Sequence, residues 1–161
     1  MPVLDTRLDT DDLTLTVVTE IDATPERAWQ LWADHRQLEQ WWGPPTWPAT
    51  FHRHELEPGG ESRYFMTGPD GSKGHGWFSI VETDAPNRLV FKDGFAGEDG
   101  EPTDPEDYGT VTVTIEPAGE RTRMSVQTRF RSAEQLKAMT EMGMAEGMTE
   151  AMGQIDALVA A

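Results

Sequence analysis

The chain has 161 residues, no cysteine, 37% hydrophobic residues and a formal net charge of −16, from 29 acidic and 13 basic side chains. That length suits one domain spanning 1–161 with its own core, and so much negative charge excludes nucleic acid and anionic membrane surfaces as partners. Without cysteine there is no disulfide framework, no thiol nucleophile and no cysteine metal site.

No apolar run approaches the roughly 18 residues of a membrane-spanning helix. The opening MPVLDTRLDTDDL lacks the basic-then-apolar pattern of a secretory leader. The expectation is a cytoplasmic protein with no membrane insertion.

Residues 1–12 read as a loose lead-in. Leu13–Asp22 alternates, with Leu13, Leu15, Val17 and Ile21 on one face, and predicts a half-buried strand. Thr24 is placed to cap a helix with Pro25 at its first position. Ala28, Trp29, Leu31 and Trp32 form its apolar side, with Trp29 and Trp32 as core. A second short helix over 36–42 is stopped by Gly43, Pro44 and Pro45.

Six further strands are predicted over 49–56, 62–67, 74–82, 88–93, 108–116 and 122–130. Turns at Pro58-Gly59-Gly60, Pro69-Asp70-Gly71 and Ala85-Pro86-Asn87 separate the earlier ones. In the last pair, Val111, Val113 and Ile115 face Met124, Val126 and Phe130 across a hairpin. Strands in succession joined by short turns imply an antiparallel meander in an α+β fold. The acidic segment 94–109 does not match the spacing of a calcium-binding loop. It reads as a solvated loop, or as a lid over a cavity mouth.

From Arg131 onward the sequence predicts one long helix, about 133–159, with Ser132 as N-cap. One stripe collects Leu136, Thr140, Gly143, Met144, Gly147, Met148, Ala151, Ile155 and Leu158. Met144, Met148, Ala151 and Ile155 should face the sheet, with Glu141, Met142 and Glu150 outward. Glycine is a poor helix former, so Gly143 and Gly147 beside adaptable methionines suggest a helix that also lines a ligand space. The alternative is a stripe that is core alone.

Five stretches in order carry a resemblance to a known family. They are Thr24-Pro25-Glu26-Arg27-Ala28-Trp29, Trp41-Trp42-Gly43-Pro44, Glu57-Pro58-Gly59-Gly60, Asp84-Ala85-Pro86-Asn87-Arg88-Leu89-Val90-Phe91, and the closing Met144–Met148 with Gln154–Leu158. Over about 13–160 the chain resembles the START-like (SRPBCC) superfamily, and more narrowly its AHSA-like members, homologues of the heat-shock-protein ATPase activator domain. The resemblance implies a helix-grip fold: a curved antiparallel sheet of six to seven strands wrapped around a long C-terminal helix, with two short helices after the first strand and a cavity between sheet and helix. The superfamily includes lipid carriers, polyketide cyclases and chaperone regulators, and fold alone does not choose among them.

Candidate site residues follow from that cavity. Trp42, Trp47 and Trp77 are placed for a ligand role, with Phe91, Tyr64, Met144, Gly147 and Met148 as apolar lining. His54, Asp93 and Tyr64 are the titratable groups on strands that can face the cup. His52 and His54, two apart on one strand, share a face, and His75 lies nearby; their spacing is too sparse for a zinc site, and neither metal nor cofactor is expected. The leading expectation is a non-catalytic binding protein for a small apolar or aromatic molecule. The alternatives are an enzyme of the polyketide cyclase or hydrolase type using the same cavity, and a chaperone-activator-like interaction module. A homodimer is left open.

Overall fold

In the computed structural model, which describes residues 3–160, one antiparallel sheet carries the chain. Its strands are β1 (Val3–Asp9), β2 (Thr14–Ile21), β3 (Ala49–His54), β4 (Glu61–Thr67), β5 (Lys73–Asp84), β6 (Arg88–Ala96), β7 (Gly109–Ala118) and β8 (Arg121–Arg129). Their order across the sheet is β1-β2-β8-β7-β6-β5-β4-β3. Helices α1 (Pro25–Ala33) and α2 (His35–Trp41) carry the chain from β2, near one edge, to β3 at the other. The terminal helices α3 (Ala133–Glu141), α4 (Met144–Met152) and α5 (Ile155–Ala160) follow β8. This is the helix-grip arrangement, with eight strands rather than six or seven.

The extra strand is β1, inside the segment read as a loose lead-in; Met1 and Pro2 lie outside the described residues. It pairs with β2 over Asp5–Asp9, and each of those side chains is exposed. Beyond the ladder, the Thr6 hydroxyl meets the Thr149 hydroxyl of α4 at 3.1 Å; an edge strand whose side chains over Asp5–Asp9 stay exposed leaves no buried alternation there to read.

The two short helices form where expected. The Thr24 hydroxyl accepts from Arg27 N at 3.2 Å, and Pro25 opens α1. The amphipathic face of α1 buries Ala28, Leu31 and Trp32 in the core, and half-buried Trp29 packs against them. Trp32 meets Trp41 edge-on at 4.8 Å, and Phe78 lies 4.3 Å from Phe91. The buried indole N–H groups of Trp32 and Trp41 donate to Met124 Sδ and Leu31 O. Each large apolar side chain buried here contributes about 1.5–3 kcal/mol. These two helices, and not only the terminal one, therefore cover the sheet.

The predicted terminal helix is present but divided. Gly143 has φ +83°, a left-handed conformation that ends α3 and becomes the N-cap of α4. At the second break Gln154 donates to Gly43 O at 2.7 Å, tying the turn to the end of α2. Facing holds through both breaks: Ala151 and Ile155 are buried and Met144 and Met148 half-buried, while Glu141, Met142 and Glu150 are exposed; Met152, outside the predicted stripe, is fully buried as well. Thr140, placed on the apolar stripe, is exposed. The anchors fall in two clusters. Met152 and Ile155 join the main core, whereas Leu136 of α3 packs with Leu15 and Phe130 in a smaller one.

Candidate functional site

A cleft opens where α3 and the start of α4 stand off the inner face of the sheet. Its larger lobe is about 510 Å³ and runs from Tyr64 and Asp93 to Phe130 and Gln135. An adjoining lobe of about 230 Å³ reaches Trp42, Gly147 and Met148. Tyr64, Asp93, Phe95, Met139, Met142 and Met144 line both lobes, so the two form one space. The total is in the range of small-molecule sites. Phe95 from the sheet (48% exposed) and Met142 from α3 (68% exposed) stand at its mouth.

The polar centre of the cleft is a pair. Tyr64 on β4 pairs with Gly76 of β5, and Asp93 on β6 pairs with Phe78 two residues along β5, so the phenol reaches the carboxyl diagonally across that strand. A Cβ at Gly76 would collide with the Tyr64 ring, so the glycine gives the phenol its place. From there Tyr64 donates its hydroxyl to Asp93 Oδ1 at 3.0 Å. Burial pushes the Asp93 carboxyl up to about 7, while the bond from Tyr64 pulls the other way. Burial and the adjacent carboxylate hold the Tyr64 phenol well above its ordinary value, so it remains a donor.

Trp42 completes the group. Its ring is 4% exposed and sits edge-on to Tyr64 at 6.3 Å, and its buried indole N–H lies beside the Tyr64 hydroxyl without a well-aligned hydrogen bond. A buried donor left unpaired is uncommon and costs about 1–3 kcal/mol.

The chain matches the family described as Activator of Hsp90 ATPase homolog 1-like protein over residues 22–160. It belongs to that family. Among solved structures it is similar to a protein from Arthrobacter aurescens, at 49% identity and TM-score 0.93, over 98% of this chain and 92% of the other. It is similar to protein Ms6760 from Mycobacterium smegmatis at 45% identity and TM-score 0.90, covering 98% and 96%. DynU16, a putative protein in the dynemicin biosynthetic locus, shares the fold at 16% identity and TM-score 0.64; 93% of this chain covers 48% of that one. No curated protein matches the chain.

In this AHSA1-like chain the cleft brings together Trp42, Tyr64, Asp93, Met144, Gly147 and Met148 of the residues singled out from sequence. It does not bring the other four. Phe91 is fully buried, packed on Phe78, Trp32 and Trp42 behind the cleft floor. Trp47 covers Gly68, where a Cβ would lie 2.6 Å from its ring. Trp77 shares the opposite face with Arg63, its neighbour in register, and packs over Gly94. His54 bridges Ser62 Oγ and Trp32 O, each at 2.7 Å. A carbonyl can only accept, so Nε2 carries the proton and Nδ1 accepts from the serine; burial lowers the His54 pKa and keeps the ring neutral. His54 is thus a strut between β3 and α1.

The expectation that His52 and His54 share a face also fails. A β-bulge between Phe51 and Arg53 leaves His52 exposed and stacked on Phe65, while His54 turns inward opposite Ser62. Among the described residues no three His, Cys, Asp or Glu side chains are grouped to hold a metal ion, and no helix is long and apolar enough to cross a membrane.

The two readings of segment 94–109 divide along its length. Its first part folds back on β6, with Gly97 N donating to Glu101 O, and Glu101 reaches Arg63 at 3.3 Å. Its last part, Asp107–Gly109, lines the cleft rim, where Gln135 of α3 donates to Asp107 Oδ1 at 2.7 Å. Phe95, Met139 and Met142 were missed as lining. Met142 points outward along its helix yet guards the mouth, and nothing in helical periodicity separates those two situations.

Proposed function

We propose that this chain is a non-catalytic binding protein that takes up a small apolar or aromatic molecule in the cleft between the sheet and α3–α4. The family fold accommodates small-molecule or protein binding, and within it one observation carries the choice. Gly147 is helical, lines the inner lobe, and a Cβ built on it meets nothing within 4 Å. Space is kept open there at the expense of helix propensity. Domain unity over 1–161 and a cytoplasmic setting belong to the same proposal, with a homodimer left open.

Gly147→Leu tests it. Leucine is about 0.8 kcal/mol better than glycine in a helix, so the variant should melt at or above the parent temperature. Its side chain should fill the inner lobe and reduce uptake of Nile red, read by probe emission. A destabilised variant, or a stable one that binds the dye as before, overturns the proposal. Mass spectrometry of molecules that co-purify with the native protein then identifies the occupant.

A second reading is supported by the Tyr64–Asp93 pair. A carboxyl held near 7 beside a permanent hydroxyl donor suits general acid–base chemistry on a bound carbonyl compound. An enzyme of the polyketide cyclase type would need Asp93 for turnover but not for binding. The third, an interaction module like the chaperone activators, would instead use the exposed Phe95 and Met142.

A further inference from the structure

We propose that the cleft selects an amphiphilic amine, an apolar or aromatic body carrying one protonated nitrogen that seats against the second oxygen of Asp93. This inference rests on the binding proposal above and names the chemical class of its ligand.

Charge points to a cation. The ionisable carboxyls lining the cleft are Asp93, Asp107 and Glu134, and no lysine, arginine or histidine lines either lobe. The nearest basic groups sit on the rim, where Lys92 Nζ and the Arg131 guanidinium lie 4.7 and 5.3 Å from the centre of the Tyr108 ring. An anionic ligand would bring a second negative charge beside Asp93, with Asp107 and Glu134 at the entrance, and would meet no compensating cation inside.

Geometry points to where the cation sits. Asp93 Oδ1 is occupied by the Tyr64 hydroxyl, and Oδ2 has no protein donor among the described residues. A protonated amine at Oδ2, which opens to the cleft, supplies the missing donor as a charge-assisted hydrogen bond. Around it stand the rings of Trp42, Tyr64 and Phe95, whose faces favour a cation, and the thioethers of Met139, Met144 and Met148 for the apolar body.

Trp42 supplies the independent observation. Trp42 lines the inner lobe and is more than nine-tenths buried; its N–H lies beside the Tyr64 hydroxyl, whose pKa it pulls down, but makes no well-aligned hydrogen bond. A ligand oxygen near the amine would accept from it. The Tyr64 oxygen, whose proton is held by Asp93, then offers an acceptor, Trp42 a donor and Asp93 Oδ2 an acceptor around one polar head.

The test uses the full-length protein and three probes of one shape: 1-naphthylmethylamine, 1-naphthylmethanol and 1-naphthylacetate. At pH 8, calorimetric titration should rank amine above alcohol by about tenfold or more, the scale of one hydrogen bond to a charged group, with the acetate weakest. Asp93→Asn should abolish the amine's advantage over the alcohol. The amine's affinity should rise with pH through about 7, where Asp93 ionises. Tyr64→Phe removes a bond that favours the carboxylate, so it should move that midpoint upward; this second variant serves if Asp93→Asn fails to fold. An amine that binds no better than the alcohol, or keeps its advantage in Asp93→Asn, overturns the inference while leaving apolar binding intact. If none of the probes binds, both fall.

Discussion

The inner face of the sheet has two ends built on opposite principles. Under α1 and α2 it is closed: Trp32, Trp41, Phe78 and Phe91 are fully buried, with Trp32 edge-on to Trp41 and Phe91 tilted against Trp32 and Phe78. Under α3 and the start of α4 it stays open, and the side chains there are Met139, Met142, Met144 and Met148, none of them buried. Rigid aromatics fill space at crystal-like density, whereas unbranched thioethers tolerate a gap and adapt to an occupant. The difference separates residues that make the fold from residues that make the site, and each variant below tests that division.

The largest effect is expected at the closed end. Phe91→Ala should lose about 3–5 kcal/mol in urea unfolding, while Met148→Ala, beside space already empty, should lose no more than about 1 kcal/mol. Equal losses would mean that the methionine end is packed core.

Asp93 is expected to rank next. Its folded pKa of about 7 lies above the ordinary 3.8, so the folded protein retains a proton that the unfolded chain releases between those values. The stabilisation it offers is complete below about pH 4 and is lost as pH rises through about 7. Asp93→Asn removes that loss. The variant should gain on the order of 2 kcal/mol over the parent at pH 8 and nothing at pH 4. Parallel denaturation curves at the two pH values measure it, and a gain at pH 4 equal to that at pH 8 would disprove the buried-carboxyl account.

The smallest effects concern the two glycines. Gly147→Ala should stabilise by about 1 kcal/mol, while Gly143→Ala, forced into left-handed backbone, should destabilise by about 1–2 kcal/mol. Thermal melts of the two variants shifting in the same direction would contradict the division of the terminal helix.

These glycines also mark the limit of what was legible beforehand. Alternation in β2, β7 and β8 and the cap at Thr24 fixed most elements, because those signals are local. Gly143 and Gly147 were alike in sequence, one turn apart on one stripe; only the backbone at Gly143 separates a break from a notch. Strand parity put Tyr64 and Asp93 inside, but their meeting depends on Gly76 in the strand between, a contact across three strands that no periodicity encodes. His54 and Phe91 were read as lining because inward-facing residues are not ranked by depth in a linear pattern. The bulge at His52 and the edge strand β1 left no pattern to read.

The separate anchoring of the terminal helices has a consequence for local stability. α4 and α5 are moored through Met152 and Ile155 in the main core, but α3 is held by Leu136 against Leu15 and Phe130, and by Gln135 bonded to Asp107 and Tyr108 O. Gly143 is the joint between them. α3 is thus joined to α4 at one left-handed residue and tied down by few groups: buried Leu136, half-buried Met139 and the Gln135 bonds. Burial of Leu136 contributes about 1.5–3 kcal/mol, a small part of the 5–15 kcal/mol that ordinarily separates folded from unfolded chains. The hold on α3 and the integrity of the main core therefore rest on different residues.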